Sequence, residues 1–314
     1  MGEDRLCLRH ASGLAVTSRP YGGEADLRLI MGFLSSVTSA GPAGAYWHPG
    51  DAVWGMYQNM VFDARRGVRL WEEDGELVGF GWLEEPDGVV MQVHPRLRGS
   101  GLLEGEMLEW SASQTRAVYG EQAEDELWTR IAEDEPHLAA LLAELGFERD
   151  PDHALMMSRG LDASLVENTP SDGWTVREVG GEEEWEERVE IHRDVWHPSR
   201  VTLQAYQRLR TAPGYDPRLD LLAVAPDGTF GSYCICWFDL ESRTGLFEPL
   251  GTRAMYRGKG LGKSVMHEGL RRLRELGAHT AFVTAIHDNE AARSLYESLR
   301  VHGLPHSQHG APLR

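Results

Sequence analysis

Apolar and polar positions change period several times along the chain, and they do so twice in the same order. In the second half, LDLLAVAPDGTFGSYCICWFD carries two β-rich runs around Pro226-Asp227-Gly228, which predicts a hairpin. In the first half, VRLWEEDGELVGFGWLE does the same around Asp74-Gly75. A third strand is predicted in each half, VVMQVH (89–94) and LFEPLGT (246–252). A glycine-rich turn follows each of them, RGSGLL (98–103) and RGKGLGKS (257–264), and opens a helical stretch. In the second stretch Leu261, Val265, Met266, Leu270, Leu273 and Leu276 keep the helical period. Lys263, His267, Arg271, Arg272 and Arg274 fill the other face, and Gly277 is the stop. A strand over 278–286 and a last helix, NEAARSLYESL, capped by Asp288 or Asn289, complete that half. In the first half FERDPDHALMMSRGL reads as a further hairpin completing the sheet. The chain instead ends in RVHGLPHSQHGAPLR, poor in β-formers and carrying two prolines.

The two turns lie 159 residues apart, 98 to 257, which is about half the chain. Two copies of one unit of roughly 150 residues fit that period. The polar stretch SRGLDASLVENTPSDG (158–173) reads as the linker. The expected fold is α/β (α+β), with tandem domains over 1–160 and 174–314. Each is a mixed, largely antiparallel twisted sheet flanked by helices.

Composition narrows the function classes. The 314 residues carry a formal charge of −18, with 41% apolar and 25% charged residues, as expected of a folded, soluble chain. So acidic a surface disfavours nucleic acid as a partner. No apolar run approaches the ~20 residues that span a bilayer, so no membrane partner is expected. The N-terminus MGEDRLCLRH lacks the order of a secretory signal. Cys7, Cys234 and Cys236 cannot build a disulfide framework, and the scattered histidines, His48 included, show no metal-ligand spacing. A reduced, cytoplasmic location and no metal are expected.

Against that acidic background, Arg257-Gly258-Lys259-Gly260-Leu261-Gly262-Lys263 is a local reversal of sign between a strand and a helix N-terminus. The first helical turn leaves backbone N–H groups unpaired, and its dipole favours an anion there. Glycines let the backbone approach a ligand and adopt positive φ. A pyrophosphate is the natural occupant. The order R-G-x-G-x-G is neither the dinucleotide fingerprint nor a Walker loop, which needs four residues between its glycines where this chain has three.

At EPLGTRAMYRGKGLGKSVMHEGLRRLRELGAHTAFVTAIHDNEAARSLYESL the chain resembles the GNAT superfamily of acyl-CoA-dependent N-acetyltransferases. The superfamily's R/Q-x-x-G-x-G/A loop matches Arg257, Gly260 and Gly262, and its later Asn and Tyr match Asn289 and Tyr296. The resemblance covers 246–299 closely and 174–245 more loosely. It implies two tandem GNAT-like domains and acetyl-CoA as acyl donor. The pyrophosphate is then expected at Arg257, Gly258, Lys259, Gly260, Leu261, Gly262 and Lys263, and pantetheine along Leu250, Gly251 and Thr252.

Tyr296 would protonate the departing thiolate; the alternative is a tyrosine packed between helix and sheet. Asn289 either contacts pantetheine, caps the last helix, or does both. Glu248 is either the base that takes a proton from a substrate ammonium or a solvated strand residue. Trp196, His197, Trp237 and Phe238 line an acceptor pocket or pack the core. Arg271, Arg272 and Arg274 form a solvated face unless one holds the CoA 3′-phosphate.

The first copy is degenerate. Leu103 stands at the last loop glycine, Val89 at Glu248 and Leu142 at Tyr296. CoA binding is therefore expected to be weak or lost there. The expected function is acetyl transfer to a small-molecule amine in the C-terminal domain, with homodimerisation left open. A non-catalytic acyl-CoA-binding or interaction protein and a nucleotide-binding enzyme are the rivals.

Overall fold

The computed structural model describes residues 7–9, 15–41, 46–84, 87–99, 101–120, 126–132, 135–150, 154–162, 170, 173–286, 289–303 and 306–312. Up to residue 160 the elements are β1 (Cys7–Arg9), β2 (Ala15–Pro20), α1 (Glu24–Ala40), α2 (Pro49–Tyr57), α3 (Ala64–Gly67), β3 (Val68–Glu73), β4 (Glu76–Glu84), β5 (Gly88–Val93), α4 (Leu102–Tyr119), β6 (Glu126–Ala132), α5 (Pro136–Glu144), β7 (Glu148–Asp150) and β8 (Ala154–Gly160). After it come β9 (Thr175–Glu178), α6 (Trp185–Val195), α7 (Leu203–Leu209), β10 (Asp220–Val224), β11 (Phe230–Asp239), β12 (Thr244–Thr252), α8 (Leu261–Leu276), β13 (Thr280–Ile286), α9 (Glu290–Ser298), β14 (His302–Gly303) and β15 (His306–Pro312).

These elements form two units, and neither is one continuous stretch. The first comprises Met1–His48, Phe62–Leu155 and Pro305–Arg314; the second comprises Pro49–Val61 and Met156–Leu304. Within the first unit the sheet order is β1-β2-β3-β4-β5-β6-β15-β7, and within the second it is β14-β8-β13-β12-β11-β10-β9. The repeat read from the sequence is visible in both: each sheet is antiparallel up to its fourth core strand, then parallel at β5·β6 and at β12·β13.

At the far edges one expectation fails, and a strand forms where the composition is poor in β-formers. FERDPDHALMMSRGL does not make one hairpin: β7 lies in the first sheet and β8 in the second, next to β13, with residues 151–153 outside the described ones. That strand lies in the tail. β15 pairs with β6 over seven positions, His306 opposite Ala132 to Pro312 opposite Glu126, and also with β7. Each sheet thus takes its penultimate strand from the other half of the sequence. Pairing chemistry, not local propensity, decides this: an antiparallel ladder satisfies the backbone whatever the side chains. Parts of the expected linker (163–169, 171–172) and Asp288 lie outside the described residues.

The second unit's core follows the predicted period. Leu261, Val265, Met266, Leu270 and Leu273 of α8 are buried against the sheet, and Gly277 ends the helix in the left-handed region at φ 98°. Cys234 and Cys236 are buried free thiols.

Candidate active site

The site is built where β12 leaves its neighbour. Pairing of β12 with β13 runs from Thr244 opposite Thr280 to Phe247 opposite Val283 and stops. Pairing with β11 continues to Thr252. From Glu248 to Thr252, the edge of β12 that faced β13 is therefore without a ladder. Cys236 stands opposite Phe247 and Cys234 opposite Leu250, so Glu248 and Pro249 share the place of one residue. Such a bulge re-aims side chains where a strand stops pairing.

A short 3-10 turn, Ala254–Tyr256, carries the chain from β12 to the loop. Gly258 and Gly260 then adopt φ of 79° and 77°, a region that L side chains enter at a cost. Gly260 is the N-cap of α8; no side chain caps the helix, and no acid lies in its first turn. A Cβ on Gly262 would come within 3.2 Å of Thr252 Oγ1 and 3.3 Å of Leu295 Cδ2, so the loop, the strand and α9 meet there. Ser232 fixes the strand end, donating to Gly251 O at 2.8 Å and lying 2.9 Å from Thr252 Oγ1. The Arg257 side chain is exposed, with only a long contact, Nε to Thr252 O at 3.4 Å. Lys259 Nζ lies 5.5 Å from the centre of the Tyr256 ring. Arg257, Lys259 and Lys263 bring three cationic side chains to this turn and the first turn of α8.

Tyr296, on α9, is buried at 5% exposure. Burial pushes its hydroxyl pKa up, and the nearby Glu248 carboxylate and Cys234 add to the shift. The phenol therefore keeps its proton at neutral pH. Glu248 is half-buried, not a freely solvated strand residue. Asn289 is the N-cap of α9, its Oδ1 accepting from Ala292 N at 3.0 Å.

Trp237 is 2% exposed and donates its indole N–H to Glu248 O at 2.6 Å, so it is a core residue holding the bulge. Trp196 is 44% exposed. Arg271 and Arg272 are held by Glu268 and Glu275 of the same helix and by Glu178 at the end of β9.

Three residues behind the bulge escape the sequence pattern. Tyr233 is fully buried, its hydroxyl 2.6 Å from His192 Nδ1. The Arg188 guanidinium lies 4.1 Å from the Tyr233 ring centre and pairs with Asp220 at 2.9 Å, both side chains buried. Burial, with Arg188 and Arg193 adding repulsion, lowers the His192 pKa to about 3, so the imidazole is neutral. Tyr233 is also pushed up, first by burial, with Glu248 contributing. The only signal in the sequence was an apolar strand, YCICW, that carries a hydroxyl.

An uncapped, acid-free helix start thus lies beside an unladdered strand edge, with the buried Tyr296 phenol and the half-buried Glu248 carboxylate on the elements around it. The sequence profile of the acetyltransferase (GNAT) family matches residues 182–300, and the chain belongs to the GNAT family of N-acetyltransferases, which uses acetyl-CoA as acyl donor. It is 32% identical to the mycothiol acetyltransferase of Streptomyces coelicolor over 250 residues, 75% of this chain and 77% of that one. It is 30% identical to that of Thermobispora bispora over 251 residues, 74% and 79% of the two chains. Among solved structures, the fold is similar to a GCN5-related N-acetyltransferase from Sphaerobacter thermophilus, with a TM-score of 0.65 at 20% identity over 95% of this chain and 96% of that one. It is also similar to a tandem GNAT protein from the clavulanic acid biosynthesis pathway, with a TM-score of 0.66 at 14% identity over 95% and 99%. The protein is an enzyme, and neither rival reading is retained.

Proposed function

We propose that the second unit transfers an acetyl group from acetyl-CoA to a small amine, and that the first unit does not grip the donor. The observation that carries this is the start of α8, with two positive-φ glycines, a third glycine pressed against Thr252, Lys263 in the first turn, and no cap or acid. Backbone N–H groups and the helix dipole there suit linked phosphates. Arg257, Lys259 and Lys263 would add charge. Leu250, Gly251 and Thr252 offer the free strand edge to an extended chain. When bound, acetyl-CoA would supply a thioester carbonyl open to a neutral amine.

The protein's own groups then divide the proton work. Glu248 would take the proton of the incoming ammonium, directly or through water. Tyr296, whose burial keeps it protonated, would give a proton to the leaving thiolate. Asn289 holds the first turn of α9, and so the position of Tyr296. The name of the relatives makes a mycothiol-related amine the first acceptor to try.

The test is acetyl-CoA turnover, read by thiol release, over a panel of primary amines. Tyr296→Phe and Glu248→Gln should each lower kcat about 100-fold or more, with CoA affinity within about threefold of wild type. Turnover that survives both substitutions contradicts the assignment.

A further inference from the structure

The first unit keeps a cleft at the place where the second has its loop, but its chemistry is inverted. The cleft has a volume of about 300 Å³ and is lined by Arg98, Gly99, Glu104, Glu135, His137 and Leu138, among others. That is the lower end of the size of small-ligand sites. Arg98 is committed: its Nε donates to Val93 O at 2.9 Å, and its Nη1 pairs with Glu135 at 2.7 Å. Glu135 is committed on its other oxygen to the Tyr46 hydroxyl. Arg98 thus has its guanidinium turned to Glu135, and its charge also reaches Glu104 in the same cleft.

Glu104 lies in the first turn of α4 and is 3% exposed. Burial pushes the Glu104 carboxyl pKa up, while its own backbone N–H and Arg98 draw it back, so an acid is built in where the other unit leaves the helix start open. Among the described residues its Oε2 is buried and has no hydrogen-bond partner. A buried acceptor without a donor costs about 1–3 kcal/mol, so the missing donor is what the cleft lacks. A divalent cation needs several oxygen ligands, and among the described residues no group of three acidic, His or Cys side chains is placed so that it could hold a metal ion. One unpartnered carboxylate oxygen with Leu138 and Pro136 beside it suits a cationic nitrogen on an alkyl body.

We propose that this cleft binds a small primary ammonium ion through the Glu104 carboxylate. The inference is independent of where acetyl-CoA binds. Calorimetric titration of the full chain with hexylammonium, and with hexanol as its neutral counterpart, tests it. Wild type should bind hexylammonium at least tenfold more tightly than hexanol. Glu104→Gln should erase that preference while leaving acetyl-CoA turnover intact, and His137→Trp, which crowds the rim from an exposed position, should do the same. Glu248→Gln should keep it. A preference that survives Glu104→Gln, or that wild type lacks, overturns the proposal. So does its loss in Glu248→Gln alone, which would put the amine in the second unit.

Discussion

The two loop–helix junctions share a backbone and almost nothing else. Each begins with a 3-10 turn, Pro95–Leu97 or Ala254–Tyr256. Each continues through paired positive-φ glycines: Gly99 and Gly101 at 90° and 70°, Gly258 and Gly260 at 79° and 77°. Each enters its helix at an uncapped glycine. The side chains then diverge. Leu103 stands for Gly262 and buried Glu104 for Lys263. Arg98 is tied to Glu135, the N-cap of α5, where Arg257 is exposed and Asn289 caps α9. Leu142, 0% exposed, stands for Tyr296. Behind the sheets, Phe33 packs edge-on to Phe80 at 6.1 Å in the first unit, while His192 and Tyr233 share a hydrogen bond in the second. A conserved trace thus says little about function; a handful of side chains decide whether the junction is open to an anion or closed on itself.

Copying first-unit residues into the second unit breaks this comparison in graded steps. The largest effect is expected from Glu248→Val, which places the residue of Val89 on the bulge. Steady-state kinetics should show kcat falling by roughly 10²–10⁴, the usual worth of a positioned base, with CoA affinity retained. Gly262→Leu comes next. Its Cβ already crowds Thr252 and Leu295, and overpacking of about 1–3 kcal/mol should weaken CoA, measured by calorimetry, by up to about 100-fold. Lys263→Glu follows, with about a tenfold loss that shrinks as salt is raised, because the site is exposed to screening.

The smallest effect concerns stability. The His192 pKa is about 3 in the folded unit against 6.5 for a free imidazole, so the unfolded chain binds the extra proton. Stability is therefore full above pH 6.5 and declines as pH falls toward 3. Between pH 7.5 and 6.0 the loss from this group is on the order of 1 kcal/mol. Urea midpoints at the two pH values should show it, and the double variant His192→Phe with Tyr233→Phe, the aromatic pair of the first unit, should flatten that part of the slope.

What the sequence revealed was local. The whole of α8 follows from its period and Gly277, because a surface helix with one buried face leaves a 3.6-residue record. The loop glycines were readable from their spacing, and Asn289 as a cap from its place before an apolar run. What escaped is set by partners distant in the chain. Arg98 meets Glu135 across 37 residues and His192 meets Tyr233 across 41; no window of the sequence holds either pair. The exchange of β8 and β15 escaped for the same reason. HSQHGAP has weak strand propensity, and its place between β6 and β7 supplies the ladder that its composition does not predict.

Counting donor sites tests the central claim most directly. Titration of the full chain with CoA should give one site per chain, lost or weakened by up to about 100-fold in Gly262→Leu and unchanged when Arg98 is replaced by Ala. Two sites per chain, or one that survives Gly262→Leu and disappears in Arg98→Ala, would contradict it.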